Sequence, residues 1–328
     1  MPRRPRKKKP ARSNAHELRV RWVTDKVYAT PNASEDPAFF KLETLQSATE
    51  RVLDTRDLFL APSFHARLGP AALSSIVFEL MREEQHRFIF RVKVANQRRK
   101  TGVFRLVVAK REGKTSERID EEHQLLESLH RRAPKVVVQP YRGGFIYLPD
   151  RRRRTELGRS VFAYVTDWPV GFQPLGAGPP AQFQTEPPRR HVFSLDQSEA
   201  IRDAILRIVV ATYDPVKRES IPLLGPNRAE LHATVPRSGA PRVMLIACGG
   251  LTSEVHPDAL IHRVLTAAWN DTPLGPLDAE RLFDALVDVV GTDTARRWMK
   301  RYHDALKAGV YKPVSDLTPS VLERLPLA

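Results

Sequence analysis

The chain of 328 residues carries 53 lysines and arginines against 38 aspartates and glutamates, which gives a formal net charge of +15. Hydrophobic residues make up 41 % of the sequence, enough to build a core and to exclude a wholly disordered chain. The single cysteine, Cys248, excludes an intrachain disulfide and a cysteine-rich zinc module. No apolar run is long enough to cross a bilayer, and the basic N-terminus lacks the apolar region of a secretory signal. We therefore expect a cytoplasmic protein without a membrane partner.

The positive charge is concentrated in the first residues and in two later runs. Residues 1–12 contain four arginines, three lysines and no acid, so residues 1–17 are expected to form a basic disordered tail. By releasing counterions from a polyanion, the tail and the runs would bind nucleic acid or an acidic protein, although solvated loops explain them as well. No aromatic residue is interleaved with the later runs, so base stacking is not predicted there. The residues assigned to polyanion contact are Arg3, Arg4, Arg6, Lys7, Lys8, Lys9, Arg98, Arg99, Lys100, Arg151, Arg152, Arg153 and Arg154.

The first half of the chain is predicted to be rich in strands. Residues 18–30 alternate between apolar and polar, whereas residues 37–60 give no assignable pattern. The apolar spacing of 71–85 predicts a helix with Pro70 at its first position. A β-hairpin is predicted over 87–95 and 103–109, followed by a helix from Thr115 or Ser116 to about Arg132. Residues 135–166 resemble three strands, with a turn at Gly143-Gly144.

The second half is predicted to be mainly helical. Residues 169–188 hold six prolines and three glycines and mark the clearest break in composition. After the break, the sequence predicts a capped helix from Asp196 and a short strand at 242–247. Further helices are predicted at 257–269, 278–290 and 293–308. The expected organisation is α+β in two lobes, with a tail at 1–17, an extension at 18–85, a strand-rich lobe at 86–168, a join at 169–192 and a helical lobe at 193–328.

This order of elements resembles the kinase-like superfamily, and more narrowly its aminoglycoside-phosphotransferase and small-molecule-kinase branch. LVVAK at 106–110 is similar to the strand that presents the nucleotide-binding lysine, and VFAYVTDW at 161–168 to the strand that enters the adenine-binding hinge. The resemblance implies a bilobal protein-kinase-like fold in which Lys110 contacts phosphates and pairs with Glu122. Glu121 is the competing partner, and Asp167 and Trp168 would lie at the hinge.

The catalytic half departs from the family pattern. ELH at 230–232 aligns with the family's Asp-Leu-His, so Glu230 would replace the catalytic aspartate. Val235 falls on the position of a metal-binding asparagine, and Ala247 on that of the aspartate that holds magnesium. Neither side chain offers a ligand atom to a hard cation. No glycine lies between Gly69 and Gly102, so the loop that covers the phosphates is missing as well.

These departures predict a non-catalytic, pseudokinase-like scaffold or regulatory protein that binds an acidic partner through its basic tail and loops. No catalytic residue, metal or resident cofactor is expected, although Lys110 would allow residual ATP binding. Two alternatives remain open. The protein would be a divergent active phosphotransferase if Glu254 or Asp258 supplied the metal ligands. It would be a basic, nucleic-acid-associated structural protein if the resemblance is accidental.

Overall fold

A computed structural model of the chain describes residues 18–24, 42–54, 59–148, 159–175, 195–223, 229–234, 236, 239–266, 268–269, 272–273 and 279–314. The strands are β1 (Arg19–Val23), β2 (Leu73–Glu83), β3 (Arg87–Asn96), β4 (Thr101–Ala109), β5 (Pro140–Leu148), β6 (Arg159–Asp167), β7 (Gln173–Leu175), β8 (Glu230–Thr234), β9 (Arg242–Ala247), β10 (Ala268–Trp269) and β11 (Thr272–Pro273). The helices are α1 (Leu42–Asp54), α2 (Leu60–Leu68), α3 (Lys114–Arg132), α4 (Leu195–Thr212), α5 (Pro257–Thr266), α6 (Ala279–Val290) and α7 (Thr292–Lys307).

The largest sheet has the strand order β1-β2-β3-β4-β6-β5. Strand β1 runs parallel to β2, and every other neighbouring pair in this sheet is antiparallel. Helix α3 connects β4 with β5 and packs on β6, β5 and β4. The α+β class predicted from the sequence is confirmed, and so are the hairpin of β3 and β4 and the helix that follows it.

The helix predicted over 71–85 is wrong, because these residues form strand β2. Ile76, Phe78 and Leu80 alternate with more exposed neighbours and are almost fully buried, which is the two-residue period of a strand. The same run also satisfies the spacing of a helical stripe, so a short apolar segment fits either period. Pairing along the whole length of β3 decides in favour of the strand.

The turn predicted at Gly143-Gly144 is also wrong, because β5 continues through both glycines. A Cβ atom on Gly144 would lie 2.4 Å from the ring of Phe59, so the glycine lets an aromatic ring pack directly on the strand. Residues 135–166 therefore hold two strands of this sheet rather than three. The remaining segment makes backbone hydrogen bonds to β9, from Val138 N to Leu245 O (2.9 Å) and from Leu245 N to Val136 O (2.8 Å).

Helices α1 and α2, which the sequence left unassigned, cover one face of the large sheet. Phe64 of α2 packs on Phe104 of β4, with ring centroids 4.9 Å apart. Trp22 of β1 stacks on Phe78 with centroids 4.2 Å apart. The centre of this face is therefore apolar and buried, and most charged side chains of the same strands lie on the opposite face.

A second sheet has the order β7-β8-β9 and lies among the later helices. The strand predicted at 242–247 is confirmed as β9, and the three predicted C-terminal helices are confirmed as α5, α6 and α7. Gly291 and Gly309 follow α6 and α7 with φ of +78° and +72°, the left-handed conformation that glycine often adopts after a helix. None of the helices in the described ranges combines the length and the apolar character needed to cross a membrane.

Candidate functional site

Lys110, the predicted nucleotide-binding lysine, lies at the end of β4 and contacts Glu83. Its Nζ is 2.7 Å from Glu83 Oε1 and 5.0 Å from the centroid of the Phe88 ring. Phe88 and Arg87 are consecutive on β3, so their side chains point to opposite faces of the sheet. Lys110 therefore lies on the Phe88 face, whereas Glu122 is bound by Arg87 on the other face.

The basic side chain of β4 that points toward α3 is Arg105. It is almost completely buried, with 3 % of its side chain exposed. Its guanidinium donates to Glu230 Oε2 at 3.0 Å and to the Tyr164 hydroxyl at 3.4 Å. A signal for this residue was available in the sequence, because an arginine in the middle of the apolar run VFRLVVA needs a buried partner.

Glu122 is the buried member of the glutamate pair on α3, whereas Glu121, the competing candidate, is exposed. Arg87 Nη1 lies 2.7 Å from both carboxylate oxygens of Glu122. The hydroxyl of Tyr164 on β6 donates to the same carboxylate. Burial and the charge of Glu122 both raise the pKa of Tyr164, so this hydroxyl stays protonated and acts as a donor.

Glu230 lies on strand β8, where its backbone pairs with Ala247 of β9. Besides Arg105, its carboxylate contacts His232 Nε2 at 2.8 Å and Arg82 Nη1 at 3.9 Å. Burial alone would raise the pKa of Glu230, but Arg105, the hydrogen bond from His232 and Arg82 outweigh it and hold the pKa well below the usual range. A carboxylate held ionised in this way is a weak proton acceptor, so Glu230 is poorly suited to general-base catalysis.

The turn between β2 and β3 completes the cluster. Glu84 accepts from Arg82 Nη1 at 2.9 Å and from Arg87 Nε at 2.6 Å. Burial would raise the pKa of Glu84, but Arg87 and Arg82 outweigh it and lower it. Burial would lower the pKa of Arg87, but Glu122 and Glu84 raise it well above the usual value. We call this cluster the buried ion network, after its almost fully buried members Arg105, Glu122 and Tyr164. The other members, which are partly exposed, are Arg82, Glu84, Arg87, Glu230 and His232.

A cleft of about 240 Å³ opens beside the buried ion network, between the turn, α3 and the ends of β8 and β9. Its charged walls are Glu84, Arg87, Arg118, Glu122 and Glu230. Three guanidinium groups face three carboxylates in the network, so its formal charges cancel. A salt-bridged, neutral cluster is a poor receptor for a triphosphate, which needs cations that are free to bind it.

The cleft also lacks free ligands for the magnesium ion of a magnesium nucleotide. Magnesium needs hard oxygen ligands, and the carboxylates of Glu84, Glu122 and Glu230 are already engaged by arginines. Ala247 has no ligand atom, and the neighbouring Cys248 is buried, with a pKa raised to about 12 mainly by burial. Within the described residues, no three histidine, cysteine or acidic side chains converge as a metal site.

The two predicted hinge residues do not line the cleft, and both are engaged by other groups. Asp167 Oδ1 lies 2.5 Å from Arg67 of α2 and accepts from the Tyr141 hydroxyl at 2.9 Å. The backbone N–H of Trp168 donates to Val103 O at 3.1 Å. The Arg91 guanidinium lies 5.7 Å from the centroid of the Trp168 ring, in the range of a cation–π contact.

The other predicted site residues are dispersed. Asp258, an alternative metal ligand, is buried on α5 and contacts Arg301 Nε at 2.6 Å and the Tyr311 hydroxyl at 2.9 Å. Glu254 is exposed, with a φ of +57°. Arg98, Arg99 and Lys100 form the exposed turn between β3 and β4. Val235, the tail residues 1–17 and Arg151–Arg154 lie outside the described residues.

Comparison with protein-family models and with curated proteins gives no match to this chain. The interpretation of the site therefore depends on its own geometry.

Proposed function

We propose that this protein is a non-catalytic, kinase-like scaffold or regulatory protein that binds a polyanionic partner. The observation that carries the proposal is the engagement of Glu122 and Glu230 by Arg87 and Arg105. These two carboxylates are the ones that the family resemblance would assign to phosphoryl transfer. In this chain they neutralise internal arginines, so they hold the structure together instead of serving a reaction.

The order of elements supports the kinase-like part of the proposal. A hairpin of β3 and β4 leads into α3 with its inward Glu122, and β5 and β6 follow. A helical region then encloses the short pair of strands β8 and β9, and glycines follow β9. This is the sequence of elements that the family resemblance predicts, with α1, α2 and β1 added at the N-terminal side.

The nucleotide site supports the non-catalytic part. The turn expected to cover phosphates presents Glu84, an acid, and contains no glycine between β2 and β3. The ring of Trp168, expected at the adenine hinge, lies under Arg91. A nucleotide would have to displace Arg91 and break several ion pairs, so we propose that ATP neither binds nor turns over.

Magnesium-dependent ATP hydrolysis, transfer to a panel of small-molecule acceptors and the thermal shift with ATP test this proposal. We expect no turnover above background and no stabilisation by the nucleotide. The proposal is overturned if turnover is robust and is lost in Lys110→Met but kept in the matched control Lys114→Met, which alters an exposed lysine at the start of α3. Glu230→Gln is a second test, because turnover would also be lost in this variant if Glu230 were a general base.

The divergent phosphotransferase is the second candidate, and the geometry disfavours it. Asp258 is already bound by Arg301 and Tyr311, and Glu254 is exposed on a loop. The basic charge of the chain favours the third candidate, a nucleic-acid-associated protein. That candidate also predicts binding to a polyanion. It differs from the proposal only in treating the resemblance to the kinase-like superfamily as accidental.

A further inference from the structure

Strand β1 presents two arginines to solvent in a fixed orientation. Arg19 and Arg21 are exposed, and the alternating residues Val20 and Trp22 point to the other face of the sheet. Trp22 is anchored there, since it stacks on Phe78 and its Nε1 donates to Glu50 of α1 at 2.8 Å. A slip of one residue would bury the arginines and expose the tryptophan, so the anchor also fixes the direction of the charges.

The pairing of β1, β2 and β3 extends this charged surface across the sheet. Arg21 lies opposite Val77, and Val77 lies opposite Lys93. Residues that lie directly opposite each other share a face, so Lys93 belongs to the same surface as Arg21. In the next row, Glu79 lies opposite Arg91, which places both on this face.

We call this surface the basic face. It combines seven cations with a single acid, Glu79, whose carboxylate contacts Arg91 at 2.5 Å and Lys93 at 2.7 Å. The turn between β3 and β4 lies at one end of the surface, next to the row that contains Arg19. Within the described part of the chain, the side chains of Arg19 and Arg21 have no hydrogen-bond or ion-pair partner. The basic face consists of Arg19, Arg21, Glu79, Arg91, Lys93, Arg98, Arg99 and Lys100.

We propose that the basic face binds the phosphate backbone of a nucleic acid without reading its base sequence. This inference deepens the proposed function and rests on its polyanion part. Two positions along a strand are about 7 Å apart, and two strands are about 10 Å apart, so Arg19, Arg21 and Lys93 form an open lattice of charges rather than a single pocket. Five of the seven cations are arginines, whose planar guanidinium groups match phosphate oxygens in paired hydrogen bonds.

The uncharged residues of the basic face favour nucleic acid over an acidic protein. A stable protein interface needs an apolar centre with large anchoring side chains. The residues between the charges are Ser75, Val77 and Ala95, which are small or half-buried. Among the described residues, the exposed large hydrophobic side chains are Phe145, Tyr147, Val170, Val216 and Val310. None of these belongs to β1, β2, β3 or the basic turn, so backbone phosphates remain the ligand that this surface fits.

Fluorescence anisotropy of a labelled single-stranded DNA, titrated with the full-length protein over a range of salt concentrations, tests the inference. The test variant combines Arg19→Gln, Arg21→Gln and Lys93→Gln. The matched control combines Arg297→Gln, Lys300→Gln and Lys312→Gln, which removes the same charge from exposed positions on and after α7. Each lost phosphate contact lowers the slope of log affinity against log salt by about 0.7, so the test variant should lose about 2 from the slope. The control variant should retain the slope of the unmodified protein.

The remaining outcomes separate this inference from the proposed function. Equal slopes for both variants would overturn the basic face as the binding surface. A second competitor is polyglutamate. If it competes with DNA, and if the test variant loses affinity for both polymers equally, the partner is an acidic protein and the assignment to nucleic acid is overturned. A full-length variant with the basic residues of 1–12 changed to serine gives a further reading. If only this tail variant loses binding, the basic face is not the binding surface, but the proposal of a polyanionic partner is retained. If neither DNA nor polyglutamate binds the unmodified protein, both the basic-face inference and the polyanion part of the proposed function are overturned.

Discussion

Arg91 and Arg105 lie directly opposite each other on β3 and β4, and yet they belong to regions of opposite character. Arg105 is 3 % exposed and contacts Glu230 in the buried ion network, where three guanidinium groups meet three carboxylates. Arg91 is 34 % exposed and lies on the basic face, where cations outnumber the single acid Glu79 by seven to one. Neutrality is required where water is excluded, whereas an excess of charge is tolerated where water is present.

The comparison teaches which arginines are available to a partner. In the buried ion network, every cation has a carboxylate partner at hydrogen-bond distance, so a ligand would have to replace an internal contact. On the basic face, Arg19 and Arg21 would exchange only water for phosphate. One sheet surface therefore has a region that stabilises the fold and a region that is suited to binding.

Removing one member of the buried ion network should give the largest effect. Arg105→Ala removes the almost fully buried guanidinium closest to Glu230, and breaking a buried ion pair typically costs about 3–5 kcal/mol of unfolding free energy. Chemical denaturation of Arg105→Ala and of the exposed control Arg98→Ala measures the difference, and the control should change little. A loss below about 1 kcal/mol for Arg105→Ala would mean that the network behaves like a surface cluster.

The second-largest effect is expected from acid, which should weaken the buried ion network. The folded pKa of Glu230 lies well below its usual value of 4.5, so its contribution to stability is complete above that value and is lost as pH falls toward the folded pKa. We expect the unfolding free energy to decrease as pH is lowered from 5, with Glu84 adding to the same trend because its pKa is lowered too. Urea unfolding at a series of pH values measures this. Glu230→Gln should make the profile flatter, and an unchanged profile would contradict the assignment.

Neutralising the single acid of the basic face should have the smallest effect on stability. Glu79→Gln removes partly exposed ion pairs with Arg91 and Lys93, which typically contribute about 0–1 kcal/mol. The same change releases both cations and should strengthen binding to single-stranded DNA. Thermal unfolding and anisotropy measured on one preparation separate the two effects. Weaker binding by Glu79→Gln would indicate that Glu79 positions the cations rather than competing for them.

The sequence predicted the class of fold and most of the helices, because these follow from local periodicity. It failed for β2, where Ile76 and Leu80 satisfy both a helical and a strand spacing and only pairing with β3 decides. It also assigned nucleotide binding to Lys110, because an apolar strand that ends in lysine is a visible pattern. The alternation that sends Lys110 and Arg105 to opposite faces becomes clear only when the strand register is known.

The long-range partners in the site could not be predicted from the sequence. Arg105 and Glu230 are 125 positions apart, and Arg87 and Glu122 are 35 apart. A sequence pattern gives the chemical type of such residues but not the chain path that brings them together. The basic turn at 98–100 was visible as a charge run, whereas Arg19, Arg21 and Lys93 become part of one surface only through the pairing of three strands.

The contact between Arg105 on β4 and Glu230 on β8 joins the large sheet to the second sheet, and the hydrogen bonds of Val136 and Val138 to Leu245 reinforce the junction. A fragment that ended after β7 would retain the arginine and lose its carboxylate, together with the β9 edge that these backbone groups need. The strand-rich half is therefore not expected to fold as an independent unit, and unfolding of the whole molecule should be a single cooperative event.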